Sequence, residues 1–180
     1  MTTGENRTVG PQHGQLLLRT SRTGLAAQVG HDLTIEVSRW SGRIVVAQNP
    51  QDSSVEITAD LGSLTVLEGK RGVKPLSDKD RREIVGNARK ILDVDRHGEM
   101  RYTSNQVAAD GAVEGTLHLH GVDKPFRLRV SDLGNGRYRA VGDLLQTDFG
   151  IKPYSGFFGA LKLADKVEME AELDLSGAAG

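Results

Sequence analysis

Residues 115–130 read GTLHLHGVDKPFRLRV and residues 143–175 read DLLQTDFGIKPYSGFFGALKLADKVEMEAELDL, and these two stretches decide the fold. In the first stretch apolar and polar residues alternate on both sides of a Gly-Val-Asp-Lys-Pro segment, which predicts two strands joined by a turn at 121–125. The second stretch contains a strand, a segment rich in glycine and aromatic residues, and a final strand with charged residues at alternate positions. Together they predict an antiparallel sheet that closes around an apolar interior.

The same alternation recurs along the rest of the chain. It predicts strands at 14–20, 31–39, 44–47, 54–61, 63–67, 100–105, 112–120, 126–130, 137–145 and 166–175. We interpret 40–42 as a turn, whereas Asp110-Gly111 and Asn135-Gly136 are strong hairpin signals. Residues 78–92, preceded by Ser77 as an N-cap, have apolar residues at helical spacing. The predicted fold class is mainly β: an extended up-and-down antiparallel β-barrel of about eight strands with one amphipathic helix.

The composition argues against several classes of function. With 23 basic and 24 acidic residues, the net charge of −1 gives no electrostatic reason to expect nucleic acid or an anionic membrane as a standing partner. The chain has no cysteine, which excludes disulfides, thiolate nucleophiles and zinc-thiolate sites. No run approaches the ~18 apolar residues of a spanning helix. The polar N-terminus has no apolar segment typical of a secretory signal.

We therefore expect a cytoplasmic protein without stable membrane insertion. Its predicted organisation is a flexible N-terminal leader at 1–13, a single barrel domain at 14–175 and a flexible C-terminal tail at 176–180.

Six blocks of the sequence resemble the YceI-like family of lipid- or polyisoprenoid-binding proteins. They are GHDLTIEVSRW (30–40), SSVEITADLGSLTV (53–66), GVKPLSDKDRREI (72–84), MRYTSNQV (100–107), GTLHLHGVDKPFRLRV (115–130) and QTDFGIKPYSGFFGALKLADKVEMEAEL (146–173). The resemblance implies a lipocalin-like barrel with an elongated apolar cavity, in which characterised relatives hold long isoprenoid chains. It also leaves a homodimer open. The GHDL and KPYSGFFGALK segments resemble a leaderless branch of the family.

Two groups of residues are candidates for ligand contact. Four of the eight aromatic residues lie between 149 and 158 among glycines, which is typical of a segment folding over a cavity mouth. The alternative, given nearly equal weight, is that these rings plug the barrel end as ordinary core. The second group consists of apolar residues on the inward faces of strands. The candidate ligand-binding residues are Ile35, Val37, Val55, Ile57, Leu117, Leu119, Phe126, Leu128, Phe149, Lys152, Tyr154, Phe157, Phe158, Met169 and Leu173.

A polar head group would need hydrogen-bond donors near the cavity opening. The candidate donors are Lys152, Tyr154 and Ser155 in the aromatic segment, and Lys70, Arg71 and Lys74 in a basic loop at 68–76. For the basic loop, a solvated turn is the favoured interpretation.

The histidines do not form a convincing site. His118 and His120 are two residues apart on a predicted strand and share its outer face, where a metal would need further ligands. His31 and Asp32 are adjacent on a strand, point to opposite faces and cannot form a simple catalytic dyad, so we expect a structural role for His31. We predict no catalytic residue, no metal ligand and no cofactor.

The sequence favours a non-catalytic binding or carrier protein for a long-chain amphiphile, with a polyisoprenoid lipid or an isoprenoid quinone as the first choice. One alternative is a small barrel enzyme acting on a hydrophobic substrate, which buried paired polar residues inside the barrel would favour. Another is a ligand-free, stress-linked structural or interaction module, which a solid interior would favour.

Overall fold

The computed structural model describes residues 4–24, 27, 30–70, 72 and 74–177, without the side chain of Phe157. Within these residues, one α-helix, α1 (Asp78–Ile91), accompanies fourteen strands. They are β1 (Glu5–Val9), β2 (Gly14–Thr20), β3 (Arg22–Thr23), β4 (Asp32–Val37), β5 (Trp40–Val46), β6 (Ser54–Asp60), β7 (Leu64–Lys70), β8 (Glu99–Val107), β9 (Ala112–Leu119), β10 (Val122–Gly134), β11 (Arg137–Leu145), β12 (Ser155–Gly156), β13 (Leu161–Leu163) and β14 (Lys166–Asp174).

Eleven of the strands form one antiparallel sheet in the order β1-β5-β6-β8-β9-β10-β11-β14-β2-β4-β7. The remaining three form a small sheet in the order β12-β13-β3. Because side chains alternate across a strand, the acidic residues of β14 lie on its outer face and its apolar residues face inward. The inward apolar residues of the large sheet form a single core.

A bent hairpin closes the large sheet into a barrel. β4 continues into β5 through Ser38 and Arg39 alone, and β6 continues into β7 through the turn Leu61–Ser63. β4 pairs with β7 and β5 pairs with β6, so the two long segments form one hairpin that bends in its middle. One half pairs with β2 and the other half with β8, and these are the two ends of the run β8-β9-β10-β11-β14-β2.

Counted around the circumference, the barrel has eight chain segments if each bent segment is counted once and β1 is left out. The predicted class, a mainly β barrel with one helix, is therefore confirmed. The strand count differs because the bend divides two long segments into four strands and because β1 adds a strand outside the ring.

Hydrogen bonds between the two segments hold the bend of the hairpin. The Ser63 hydroxyl donates to the Asp60 carbonyl at 2.6 Å and accepts from the Arg39 amide at 2.9 Å. The Ser63 carbonyl accepts from the amide and the hydroxyl of Ser38 at 3.1 and 2.9 Å. The Arg39 guanidinium donates to the Asp60 carboxylate at 2.7 Å and, with the Gly62 amide, lowers the pKa of Asp60 below its usual value of 3.8.

Helix α1 covers the outer edge of β7, where unpaired carbonyl groups would otherwise face solvent. Arg81 donates to the carbonyls of Val66 and Leu67 at 2.7 and 3.0 Å, and Arg89 donates to the Gly62 carbonyl at 3.1 Å. The helix begins as predicted, with Ser77 as N-cap in a reciprocal capping box with Asp80.

Three local predictions were wrong. Glu5–Val9 pairs with β5 along its length, although a flexible leader was expected there. Residues 40–42 open β5 and do not form a turn, because they pair with residues 57–59 of β6. The turn after β9 has two residues, His120 and Gly121, whose φ angles of 55° and 73° suit a type I′ hairpin, so residues 122–125 belong to β10.

The hairpin signal at Asn135-Gly136 is confirmed, with φ angles of 57° and 78° between β10 and β11. The signal at Asp110-Gly111 is confirmed between β8 and β9, where Gly111 has φ 91°. Residues 1–3 of the expected leader, 178–180 of the expected tail and Arg71 of the basic loop lie outside the described residues.

We predict that Ser63→Ala destabilises the fold by about 1–3 kcal/mol, because it removes the acceptor of a half-buried amide at the bend. Urea denaturation followed by circular dichroism measures the loss. Ser41→Ala, an exposed serine of β5, is the matched control and should change stability by less than about 0.5 kcal/mol. Equal urea midpoints for the two variants would show that the bend does not depend on Ser63.

Candidate functional site

A cavity of about 230 Å³ lies inside the barrel, at the end where β5, β8 and β14 finish. Its lining is almost wholly apolar and comes from eight strands: β2, β5, β6, β8, β9, β10, β11 and β14. Ser53, Ser54 and Gln15 are the polar residues at its strand-end side. We call this volume the barrel cavity.

Small side chains on one wall leave the space that forms the barrel cavity. Ala140 of β11 and Ala171 of β14 are direct cross-strand partners and both line the cavity. The neighbouring pair along the same two strands, Tyr138 and Leu173, has larger side chains and also lines it. Both alanines are half-buried although they face the interior, which fits side chains that border a void.

Two aromatic rings form the inner part of the same cavity and lie over glycines. A side chain at Gly115 would meet the Tyr102 ring at 2.5 Å, and one at Gly142 would meet the Phe126 ring at 2.8 Å. The two rings contact each other edge to face, with centroids 6.1 Å apart. The glycines therefore make room for the rings, and the rings fix the depth of the cavity.

Tyr102 is the buried titratable group of this wall. Its hydroxyl donates to the Phe126 carbonyl at 3.3 Å. Burial raises the pKa of Tyr102 to about 12, and the nearby Glu114 carboxylate adds to the effect. The phenol is therefore a neutral hydrogen-bond donor at any physiological pH.

A densely packed layer lies beyond the barrel cavity. Val37, Leu119, Phe149, Ile151 and Val167 are each at most 6% exposed and line neither of the two cavities of the barrel. Phe149 and Ile151 belong to the segment after β11, so this part of the aromatic segment plugs the barrel as core. The alternative interpretation of the segment therefore describes Phe149.

A second volume of about 590 Å³ lies beneath helix α1, at the other end of the barrel. Leu33 and Ile35 of β4 form its floor, and Ile84 and Ala88 of α1 cover it. The small sheet adds Leu161 and Leu163, and polar groups at the rim come from residues that include Arg22, His31, Lys74 and Tyr154. We call this volume the helix cavity.

The structure divides the predicted ligand-binding residues among four locations. Seven line the barrel cavity: Val55, Ile57, Leu117, Phe126, Leu128, Met169 and Leu173. Ile35 and Tyr154 line the helix cavity. Val37, Leu119 and Phe149 belong to the packed layer, and Lys152 and Phe158 are exposed at the surface. The side chain of Phe157 lies outside the described residues.

Phe158 is a clear correction, because it was predicted to be a pocket wall. It is fully exposed, at 112%, and lines neither cavity. Phe158 sits in the turn between β12 and β13 with φ 56°, so its side chain projects from the tip of the small hairpin. Lys152, also exposed, lines neither cavity.

The polar candidates are also divided. Lys74 and Tyr154 reach the rim of the helix cavity, whereas Lys70 and Ser155 line neither cavity. Lys70 lies 3.6 Å from Glu68 in an exposed ion pair, which agrees with a solvated loop at this residue.

The histidines have separate environments. His118 hydrogen-bonds to Asp123 at 2.6 Å on the outer face. His120 lies past the end of β9, bonds to the Phe149 carbonyl at 3.0 Å and contacts the His97 ring, so the predicted shared face with His118 is wrong. His31 bonds to the Lys74 carbonyl at 2.6 Å and supports the rim of the helix cavity.

Ion pairs on the outer face fix the register that positions the cavity wall. Arg139 lies 3.4 Å from Glu170 and 3.2 Å from Glu172, and Arg19 pairs with Glu170 from the other side. Arg137 donates to Glu172 at 2.5 Å and, with Arg139, lowers the pKa of Glu172 below its usual value of 4.5.

The sequence argument missed part of the lining, including Trp40, Tyr102, Tyr138, Ala140 and Ala171. The alternation in β8, β11 and β14 does place the last four on an inward face. Their small or amphipathic character, however, gives no sign of whether the space beside them is filled. Trp40 was assigned to a turn and therefore was not considered.

Fold and cavity together define a closed antiparallel β-barrel with an enclosed apolar volume and one external helix. The chain belongs to the YceI-like family: the model of the YceI-like domain matches residues 8–175. The predicted resemblance is thereby confirmed.

Curated relatives agree with this assignment. UPF0312 proteins from Pseudomonas savastanoi pv. phaseolicola, P. syringae pv. syringae and P. syringae pv. tomato are each 31% identical over 127 residues, which is 63% of this chain. The chain spans 60% of the length of these relatives.

Solved structures show the same fold. A mutant CJ YceI protein with a monobromobimane guest superposes with a TM-score of 0.50 at 13% identity, covering 77% of this chain and 83% of the other. The Campylobacter jejuni YceI protein gives a TM-score of 0.48 at 12% identity with the same coverage. Among the described residues of the present chain, no helix is both long and apolar enough to cross a bilayer.

We predict that Tyr102 makes stability fall between pH 10 and 12. The unfolded tyrosine ionises near pH 10.0 and the folded one near pH 12, so unfolding releases a proton in this window and gains free energy as the pH rises. Tyr102→Phe removes this contribution, and we expect the difference in stability from the wild type to shrink by on the order of 1–2 kcal/mol.

Urea titrations at pH 7, 9, 10, 11 and 12 on both proteins measure the change. Between pH 7 and 9 both states keep the phenol protonated, so the difference between the two proteins should be constant there. Curves that remain parallel up to pH 12 would refute the assigned pKa.

Proposed function

We propose that this chain is a non-catalytic binding or carrier protein that holds a long-chain amphiphile by its apolar chain. The observation that carries the proposal is the barrel cavity, an apolar volume of about 230 Å³ bordered by the facing pair Ala140 and Ala171. A core selected for stability alone would gain by filling this space, since each buried methylene contributes about 0.8 kcal/mol. An apolar ligand would supply the missing contacts.

The chemistry of the lining supports an apolar chain as cargo. Ligand pockets usually combine an apolar lining with a small number of placed polar groups. Here the polar side chains of the lining are few, and several of them lie at the strand-end side. Such a wall holds a hydrocarbon by contact and exclusion of water, without directional bonds, and suits a saturated or prenyl chain equally well.

A polyisoprenoid lipid or an isoprenoid quinone is the cargo that we propose within this class. The family assignment is its main support, because the sequence blocks that carry it run through both walls of the cavity. The volume of the barrel cavity is below the ~300–1,000 Å³ of typical ligand pockets. A long chain would therefore occupy it in part, with the remainder near Ser53 and Ser54 at the strand-end side.

The ionisable groups of the lining support binding without catalysis. Tyr102 keeps its proton because its pKa is about 12. Glu170 is engaged by Arg19 and Arg139 on the outer face. Neither group is poised to exchange a proton at neutral pH, as a general acid or base must. A cytoplasmic location and the absence of stable membrane insertion stay predictions from the sequence.

We predict that Ala140→Leu lowers affinity for a prenyl or acyl ligand at least tenfold, because the added carbons fill the space beside Ala171. A fluorescent fatty-acid analogue, displaced by a soluble prenol, reports the affinity. The matched control is Ala88→Leu, which adds the same atoms to the helix cavity. It should retain binding if the chain occupies the barrel cavity, and a reversed result would assign the cargo to the helix cavity.

Native mass spectrometry of the protein purified from its own host, followed by solvent extraction, tests the proposal directly. A co-purifying prenyl or acyl species of defined mass would identify the cargo. An empty protein that also fails to bind prenyl diphosphates and quinones would contradict the carrier function and favour a ligand-free module.

A further inference from the structure

The small hairpin of β12 and β13 presents an exposed aromatic side chain at its tip. Phe158 is 112% exposed, the highest value among the large apolar residues exposed in the described part of the chain. Ser155 pairs with Lys162 and Gly156 pairs with Leu161, so the intervening residues form the turn. The hairpin is paired on one side to β3 and its tip extends away from the barrel.

Phe158 is costly for the fold in two ways. A phenylalanine in water forgoes the free energy of burial. Its φ of 56° also lies in the left-handed region, which residues other than glycine, asparagine and aspartate seldom adopt. An asparagine at this position would relieve both costs without changing the turn. The folded chain alone therefore gives no reason for a phenylalanine here.

Two cations accompany the exposed ring. The Lys162 side chain lies beside the turn, with its Cε 4.0 Å from the position that a Cβ on Gly159 would take. Lys152 is exposed just before the hairpin. In the part of the chain that the structure describes, neither lysine has a carboxylate within 4.0 Å. Asp165, the carboxylate nearest to Lys162 in sequence, accepts hydrogen bonds from Thr147 instead.

We propose that this hairpin docks the protein reversibly on an anionic lipid bilayer. Phe158 would enter the interfacial region, where aromatic rings are favoured, and Lys152 and Lys162 would contact the phosphates of the head groups. The net charge of −1 does not oppose this, because attraction to a charged surface decays within about 10 Å and depends on the local patch.

The same hairpin forms part of a cavity wall. Tyr154, Leu161 and Leu163 line the helix cavity, while Phe158 and Lys162 face solvent. Docking through the tip would bring that wall to the membrane surface. The proposal does not depend on the barrel being loaded, because it concerns the outer surface of the hairpin.

Cosedimentation with vesicles tests the docking surface. The wild-type protein is mixed with phosphatidylglycerol/phosphatidylcholine vesicles and, separately, with pure phosphatidylcholine vesicles. We expect binding to the anionic vesicles only, and weaker binding as salt is raised. Phe158→Asn should lower the partition coefficient roughly tenfold. Lys152→Gln and Lys162→Gln should each lower it about fivefold.

Leu133→Asn is the matched control. Leu133 is 40% exposed and lies near the end of β10, on the far side of the barrel from the hairpin. Its replacement removes an exposed apolar side chain of similar hydrophobicity and should leave vesicle binding unchanged. Because Asn tolerates the left-handed conformation, Phe158→Asn should keep the wild-type urea midpoint or raise it, so a loss of binding would not reflect unfolding.

A direct readout comes from Phe158→Trp, since the chain has one other tryptophan, Trp40, which is buried. A blue shift of the emission on adding anionic vesicles supports insertion of the tip. The proposal is overturned if the wild-type protein does not bind anionic vesicles, or if Phe158→Asn and Leu133→Asn bind equally well. A carrier with identified cargo but no vesicle binding would refute the docking alone and leave the binding function intact.

Discussion

The bend of the hairpin between Ser38 and Ser63 is the constraint on which the rest of the structure depends. Here the barrel is closed by covalent continuity, because the two ends of the sheet are halves of the same hairpin. Closure of this kind leaves each half with an outer strand edge that must be protected. β1 covers the edge of β5, and helix α1 with Arg81 covers the carbonyls of β7. The first residues of the chain and its helix thus have the same structural role at opposite ends of the sheet.

Closure also explains how an apolar cavity can exist at modest cost. Strand register is fixed from outside by ion pairs such as Arg139 with Glu170 and Glu172, so the inner wall need not be filled to hold the strands in place. The packed layer around Leu119 and Phe149 supplies the cohesion of the core. Beyond that layer the wall can carry Ala140 and Ala171 without collapse. Stability and capacity for a ligand therefore reside in different parts of the interior.

Much of this arrangement could be predicted from the sequence, and the failures have physical causes. Alternation reports which face of a strand is buried, and it placed seven of the proposed contacts along the barrel cavity. It does not report whether the opposite wall fills the space, so the alanines were missed. β1 was missed because Glu5–Val9 is mostly polar; it is held by pairing to β5 and buries little. Phe158 was misplaced because hydrophobicity alone was taken as a sign of burial.

The backbone at Phe158 differs in kind from the other strained positions in the described chain. Four residues other than glycine have positive φ angles: Asp93, His120, Asn135 and Phe158. Asp93 follows the end of α1, and His120 and Asn135 open two-residue hairpin turns; all three residue types are enriched in this conformation. For these three, the fold explains both the conformation and the residue. At Phe158 the turn explains the conformation but not the side chain, which contributes neither to the core nor to a cavity. What remains unexplained by folding there is a large apolar surface beside two cations, and a feature that folding does not require is where an external partner should be sought.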